Sequence, residues 1–305
     1  MYEQFYGLRE RPFDLTPDPR YLVTTAVHGE ALSNLEYAIA SRKGITLLVG
    51  EAGTGKTTVI RAAIAKQSER IHCVHLHNPA LTRIEFIEML ADCFGLTDRA
   101  RSSKTVLLLE LEALLRQRRL ATETTVLIVD EAQSLSAELL EEIRLLSNIE
   151  TNSEKLLTLI IAGQPEVAKL FTEHSLRQLK QRIALRCELR PLNLHESATY
   201  LACRILAAGG TPVQTFTREA VELIHERSRG IPRTINVIAD NALVSGFAAQ
   251  RRPVATDLVR EVCRDFDIAP ARPEAPARVV RPVRAGQRLS ESEQQAIDAA
   301  VTRGA

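Results

Sequence analysis

Nine residues, Gly50-Glu-Ala-Gly-Thr-Gly-Lys-Thr-Thr58, have the types and spacing of a phosphate-binding loop of the form G-x-x-x-x-G-K-T. The glycines let the backbone bend until successive N–H groups converge on one anion, and the helix that follows adds its positive end. Gly50, Glu51, Ala52, Gly53, Thr54, Gly55 and Thr58 form the cradle. Lys56 is placed to reach β- and γ-phosphates, and the Thr57 hydroxyl to ligate Mg²⁺. The pattern lies between an apolar run, Ile45–Val49, and a helical one, Val59–Ile64, which is the strand–loop–helix context it requires.

A second element supplies the remaining chemistry. In Thr125-Val-Leu-Ile-Val-Asp-Glu-Ala132 an apolar strand ends in two carboxylates. A buried strand ending in Asp130 sets that carboxylate beside the phosphate loop, where it can hold Mg²⁺, usually through water. Glu131 then turns toward the γ-phosphate and can orient the attacking water. Both elements in this order predict an ATP-binding and ATP-hydrolysing protein. The run His72-Cys-Val-His-Leu-His77 puts Cys73, His75 and His77 on one face of a strand, formally enough for a metal. The competing reading is a sheet strand packed on both sides.

These residues must be positioned by a sizeable scaffold, and the chain of 305 residues has room for one large or two modest domains. Its 45% hydrophobic and 25% charged residues are those of an ordinary globular protein, and a net charge of +1 gives no general affinity for nucleic acid. The longest apolar stretches fall far short of the ~20 residues that span a bilayer, and Met-Tyr-Glu-Gln-Phe at the start has no signal-peptide pattern. Cys73, Cys93, Cys187, Cys203 and Cys263 are scattered and never in a C-x-x-C pair, which favours a reducing cytoplasm over disulfides or zinc.

Along the chain, residues 1–25 are rich in aromatics and prolines and read as an ordered arm packed on the core. A helix over 27–40 precedes strands at 45–49, 71–77, 125–130, 157–162 and 185–190. Helices alternate with them near 56–68, 82–94, 104–119, 136–148 and 165–181. That alternation predicts an α/β fold: a parallel five-stranded sheet covered on both faces, over residues 26–191. Four helical segments over 195–265, punctuated by glycine and proline, predict a small helical domain over 192–267. Residues 268–305 have a linker composition, with Arg278, Arg281, Arg284 and Arg288 and a capping-box start, Ser290…Glu293, to a short helix.

A parallel-sheet core followed by a helical lid is what the AAA+ class of P-loop ATPases looks like. Several stretches narrow the likeness: Phe5-Tyr-Gly-Leu8, Pro12-Phe-Asp-Leu-Thr-Pro-Asp-Pro-Arg20, Gly163-Gln-Pro-Glu166, Leu176-Arg-Gln-Leu-Lys-Gln-Arg-Ile183, Gly230-Ile-Pro-Arg-Thr-Ile-Asn236 and Asp257–Asp267. Over residues 1–267 the chain resembles the ExeA/GspA-like ATPases of the general secretion pathway, which are related to exosortase- and transposon-associated ATPases. The resemblance implies ATP and Mg²⁺ as cofactors and a homo-oligomer as the active form. It implies Lys56 and Thr57 as phosphate and Mg²⁺ contacts, and Asp130 and Glu131 as the metal and hydrolysis pair. Gln164 falls where the class keeps a polar sensor, and Arg233 where it keeps a second sensor on the lid. Arg177 and Arg182 lie where subunits present an arginine to a neighbour's nucleotide, and Arg182, next to the final strand, is the favoured one.

Two functions follow from that kinship. The first is a cytoplasmic ATPase, recruited to the inner membrane by a partner, that assembles a secretion or export complex. Secretion-type members continue into a transmembrane segment and a cell-wall-binding domain, so the expectation is that this part is absent or carried by another polypeptide. The second is an ATP-switched DNA-binding regulator of the transposition type, with Arg116-Gln-Arg-Arg119 and the basic tail as phosphate contacts.

Overall fold

The computed structural model describes residues 1–14, 25–76, 81–171 and 176–268. Five strands, β1 (Ile45–Gly50), β2 (Ile71–Leu76), β3 (Thr124–Val129), β4 (Leu157–Gly163) and β5 (Ile183–Leu189), form one sheet in the order β2-β3-β4-β1-β5. Every pairing is parallel. β1 and β4 are buried at every position, as a strand covered on both faces must be, whereas β2 and β5 are partly exposed edges. β1 therefore lies inside the sheet, between β4 and β5, and the chain leaves its carboxyl end for the far edge. Ligands of open parallel sheets bind at that kind of reversal.

Helices cover both faces. On one side α1 (Tyr2–Tyr6) aside, α2 (Ala26–Ala40) and α3 (Lys56–Ala65) bury Leu35, Ile39, Val59 and Ile60 against Leu48, Ile128 and Ile160. On the other, α4 (Arg83–Phe94), α5 (Asp98–Ser102), α6 (Lys104–Leu120) and α7 (Ala137–Leu146) pack Phe86, Leu111 and Ile143 on Leu47, Leu127 and Ile161. The helix predicted over 165–181 is two, α8 (Pro165–Leu170) and α9 (Arg177–Lys180), with 172–175 outside the described residues.

Beyond β5 come α10 (Leu194–Ala207), α11 (Pro212–Thr215), α12 (Arg218–Ser228), α13 (Pro232–Ala248) and α14 (Thr256–Asp265), with a core of their own. The short helices α5 and α11 are absent from the sequence reading, and so is α1, in a stretch whose prolines argued against helix although they begin only at Pro12. Thr97 before α5 and Pro212 inside α11 are ordinary starts, but each helix spans too few residues to show a period.

The arm differs from expectation. Its described residues do not lie on the sheet core. Tyr2, Tyr6, Leu8 and Phe13 are buried with Leu201, Ile205, Phe216 and Ile238 of the helical region. The polar anchor is Arg204 on α10, which is 6% exposed. It donates to the Pro12 carbonyl, to the Asp14 carbonyl at 3.2 Å and to the Tyr200 hydroxyl at 2.6 Å, and Tyr200 in turn donates to Asn236 on α13 at 2.9 Å. Aromatic side chains settle where an apolar face is left unpaired, and here the helices, not the sheet, leave one. Thr16-Pro-Asp-Pro19 and Tyr21 lie outside the described residues, as do 269–305 with their arginines and Ser290 start.

Replacing Arg204 by Met keeps the aliphatic stem but leaves buried carbonyls without their donor. R204M is expected to cost about 3 kcal/mol, given that each hydrogen bond to a charged group contributes roughly 1.5–3 kcal/mol. In a thermal melt this lowers Tm by on the order of 5–10 °C; an unchanged Tm would mean that the arm is held by its aromatics alone.

Candidate functional site

β1 ends at Gly50, and the chain turns through Glu51–Gly55 before α3 begins at Lys56. Thr54 is wholly buried and closes the turn on itself: its N–H and its hydroxyl both donate to the Glu51 carbonyl, at 3.2 and 2.8 Å. Gly53 is at φ 82°, and a Cβ there would stand 2.7 Å from Cβ of Arg233, so both the turn and a neighbouring chain demand glycine. Glu51 and Ala52 are exposed at the tip, and Thr58 is half-buried in the first turn of α3.

Lys56 is 5% exposed and folds back over the loop, donating to the Gly50 carbonyl at 2.8 Å and to that of Glu51 at 3.1 Å. Burial pushes its ammonium below the usual lysine range, while Glu131 and Asp130 pull it back up. A buried cation whose hydrogen bonds go only to neutral carbonyls is poised to gain from an arriving anion.

The acidic pair follows β3. Asp130 is 4% exposed, and its Oδ2 accepts from the Thr57 hydroxyl at 2.7 Å. Its Oδ1 accepts from the Glu131 N–H at 2.9 Å. Thr57 and Asp130, 73 residues apart in sequence, are thus brought into contact. These are hard oxygen donors and suit Mg²⁺. Glu131 is exposed and adopts φ 54°, a left-handed conformation that costs a non-glycine residue of the order of 1 kcal/mol. Ser134 holds the turn, donating from its N–H and its hydroxyl to the Glu131 carbonyl, both at 2.9 Å.

One residue here escaped the sequence reading. Gln133 donates to the Glu131 carboxylate, and its Oε1 accepts the Gln164 N–H at 3.0 Å. It therefore ties Glu131 to the end of β4, where Gln164 is the N-cap of α8 and Pro165 its first residue. The sequence signal was the amide two residues beyond Glu131 in a turn. Arg233 reaches the loop from above: as the second residue of α13, it donates its N–H to the Gly53 carbonyl at 3.2 Å.

Arg182 is not part of this assembly, and Arg177 opens the short helix α9 before it. Ile183, next to Arg182, pairs with Ile45 at the amino end of β1, and Glu150 feels the Arg182 charge there. The loop lies at the other end of a six-residue strand, about 17–20 Å away at 3.3 Å per residue. Arg182 therefore lies far from the loop of its own chain.

The His-Cys face lies on β2, with His77 outside the described residues. β2 is an edge strand packed on both faces: Ile71 and Cys73 lie against one apolar cluster, and Val74 and Leu76 against the other. His72 pairs with Glu123 at 2.7 Å, and His75 Nε2 stands 4.0 Å from Asp130. No group of three metal-ligating side chains occurs among the described residues.

A family model described as an AAA domain matches residues 39–171. General secretion pathway protein A of Aeromonas hydrophila is 40% identical over 250 residues, covering 81% of this chain and 45% of that protein. The chain thus spans less than half the length of this relative. Among solved structures, the Aeropyrum pernix ORC2 protein in its ADPNP-ADP complexes superposes with a TM-score of 0.63 at 20% identity, over 87% of this chain and 73% of that one. Drosophila ORC bound to DNA does so with a TM-score of 0.65 at 22% identity, over 99% and 73%. The Thermotoga maritima RuvB Holliday junction branch migration motor gives 0.51 at 19% identity, over 85% and 74%. At these identities the likeness is one of fold.

Proposed function

We propose that this chain, which carries the AAA+ fold and is similar over most of its length to General secretion pathway protein A, binds ATP with Mg²⁺, hydrolyses it as an assembled oligomer and uses the turnover to assemble or remodel a secretion or export complex. The observation that carries the chemistry is the 2.7 Å contact between Thr57 and Asp130, which joins the phosphate loop to the acidic strand end in one site.

In this reading residues 26–191 are the nucleotide-binding core and 192–267 the lid. The loop N–H groups and Lys56 hold the phosphates, and Lys56 exchanges its two carbonyl partners for phosphate oxygens. Thr57 would hold Mg²⁺ directly and Asp130 through water, and the ion would neutralise charge on the β- and γ-phosphate oxygens. Glu131 orients a water whose oxygen bonds to the γ-phosphorus as the bond to the β–γ bridging oxygen breaks. Its proton passes to the carboxylate or to the departing phosphate. Gln164 senses the γ-phosphate. Arg233, whose stem already lies on Gly53, couples lid angle to nucleotide state. Arg182, at the far end of the sheet, is suited to a neighbouring subunit's site, with Arg177 as the second candidate.

The protein would act in the cytoplasm, recruited to the inner membrane by a partner. No helix among the described residues is long and apolar enough to cross a membrane. The DNA-binding reading would have to draw on guanidiniums that already have partners within the chain. In the 116–119 cluster, Arg116 pairs with Glu112 at 2.7 Å, Arg119 with Glu154 at 2.6 Å, and Arg118 donates to Thr125 at 3.3 Å. These guanidiniums are committed within the chain and are poor phosphate contacts.

Steady-state phosphate release against protein concentration, with and without duplex DNA, tests the reading. The rate per subunit should climb with concentration, ignore DNA, and stay flat in R182A. A rate that rises only with DNA would move the function to the transposition-type regulator.

A further inference from the structure

His28, in the first turn of α2, is 4% exposed and held at both ring nitrogens. Nδ1 is 2.8 Å from the Thr25 hydroxyl, and Nε2 is 3.0 Å from the carbonyl oxygen of Thr54 in the phosphate loop. A carbonyl can only accept, so Nε2 carries the proton. The Thr25 hydroxyl is also the N-cap of α2, accepting the His28 N–H at 3.4 Å. The ring edge stands 3.5 Å from where a Cβ on Gly55 would be, and Gly55 is at φ 99°.

A buried histidine with both nitrogens satisfied is an ordinary core residue unless its partner matters. Here the partner is the peptide between Thr54 and Gly55. In a planar trans peptide the C=O and N–H point in opposite directions. Fixing the Thr54 oxygen toward α2 therefore turns the Gly55 N–H away from α2. Helix α2 is a firm mount, since Leu35 and Ile39 are wholly buried against the sheet and α3. The loop itself contributes little rigidity at that peptide, because glycine at residue 55 accepts many conformations.

We propose that His28 is a positioning residue of the nucleotide site: its imidazole sets the Thr54–Gly55 peptide so that the Gly55 N–H is presented to a phosphate oxygen before nucleotide arrives. This rests on the reading of the loop as an ATP site. It adds a residue outside the loop motif, on a different helix, that governs phosphate affinity. No step of the chemistry passes through His28, so its loss should weaken binding of ATP and ADP alike and leave the saturated rate nearly unchanged.

The test compares His28→Phe, which keeps a ring and removes both polar contacts, with His28→Gln, which retains an N–H of similar reach. Affinity for ATP and ADP is measured by calorimetry on folded protein, beside kcat, KM and the Tm without nucleotide. H28F should bind both nucleotides about tenfold more weakly, equivalent to about 1.4 kcal/mol, with KM raised and kcat within about twofold, the pattern of uniform binding loss. H28Q should recover most of the affinity. A merely structural histidine would lower Tm and leave the affinity of the folded protein alone, and that outcome overturns the proposal; so does H28Q binding no better than H28F. Should H28F fail to fold, His28→Asn, whose amide stops short of Thr54, carries the same expectation of about tenfold weaker binding. If the wild type bound neither nucleotide, the ATP-site reading would fall and this role with it, whereas normal ATP binding by the wild type and H28F alike would remove only the role of His28.

Discussion

Replacing Glu131 by Gln is expected to leave ATP binding intact and to slow phosphate release by at least about a hundredfold, the lower end of what a positioned general base contributes. Glu131 does not line the loop, so its loss removes nothing that holds the phosphates. Gln is nearly isosteric, and the turn that aims the side chain is fixed by backbone groups: the Ser134 N–H and hydroxyl on the Glu131 carbonyl, and the Glu131 N–H on Asp130. Only the ability to accept a proton from water is lost. The variant should stay assembled with ATP bound and hardly turn over. Because Gln133 already donates to this carboxylate, the amide of the variant must rotate to keep that contact, which leaves its N–H₂ toward the site and further disfavours an attacking water. Turnover at the wild-type rate would mean that Glu131 is not the base.

Lys56→Ala is expected to act on the opposite quantity. It should weaken ATP binding about tenfold to a hundredfold, since a hydrogen bond to a charged partner contributes roughly 1.5–3 kcal/mol. The fold should tolerate it. Lys56 is a desolvated cation whose ammonium is driven down by burial, and its removal leaves the Gly50 and Glu51 carbonyls beside the loop opening, where water can replace it. The Tm without nucleotide should therefore move little, whereas the rise in Tm on adding ATP should shrink with the affinity. Calorimetric titration of both proteins reads this directly; equal affinities would contradict the assignment of the loop.

Much of this site was legible because its signals are local. The loop carries its own glycines, lysine and threonine, and β3 announces itself as an apolar run ending in Asp130 and Glu131. The alternation of helix and strand gave the layered fold, since burial on both faces forces continuous apolar strands such as Leu157–Gly163. What was missed depends on contacts across long separations. His28 lies 26 residues before Thr54 and looks like any polar residue at a helix start until the carbonyl it meets is known. Gln133 gains its meaning from Gln164, 31 residues on. The aromatics of the arm were visible, but which face its described residues cover depends on where Arg204 and Ile238 leave room, and no periodicity encodes that. The same holds for the Arg116–Arg119 cluster, whose charge was visible and whose partners, Glu154 among them, were not.

The central claim is that the loop after β1 and the acidic pair after β3 form one ATP-hydrolysing site. The most direct measurement is ATP binding followed by phosphate release on the same sample, with Mg²⁺ and then with the metal chelated, for the wild type, K56A and E131Q. The prediction is that the wild type binds ATP and releases phosphate only with Mg²⁺, that K56A binds ATP about tenfold to a hundredfold more weakly, and that E131Q binds but hardly turns over. A wild type that binds no ATP, or phosphate release that survives unchanged in E131Q, would contradict it.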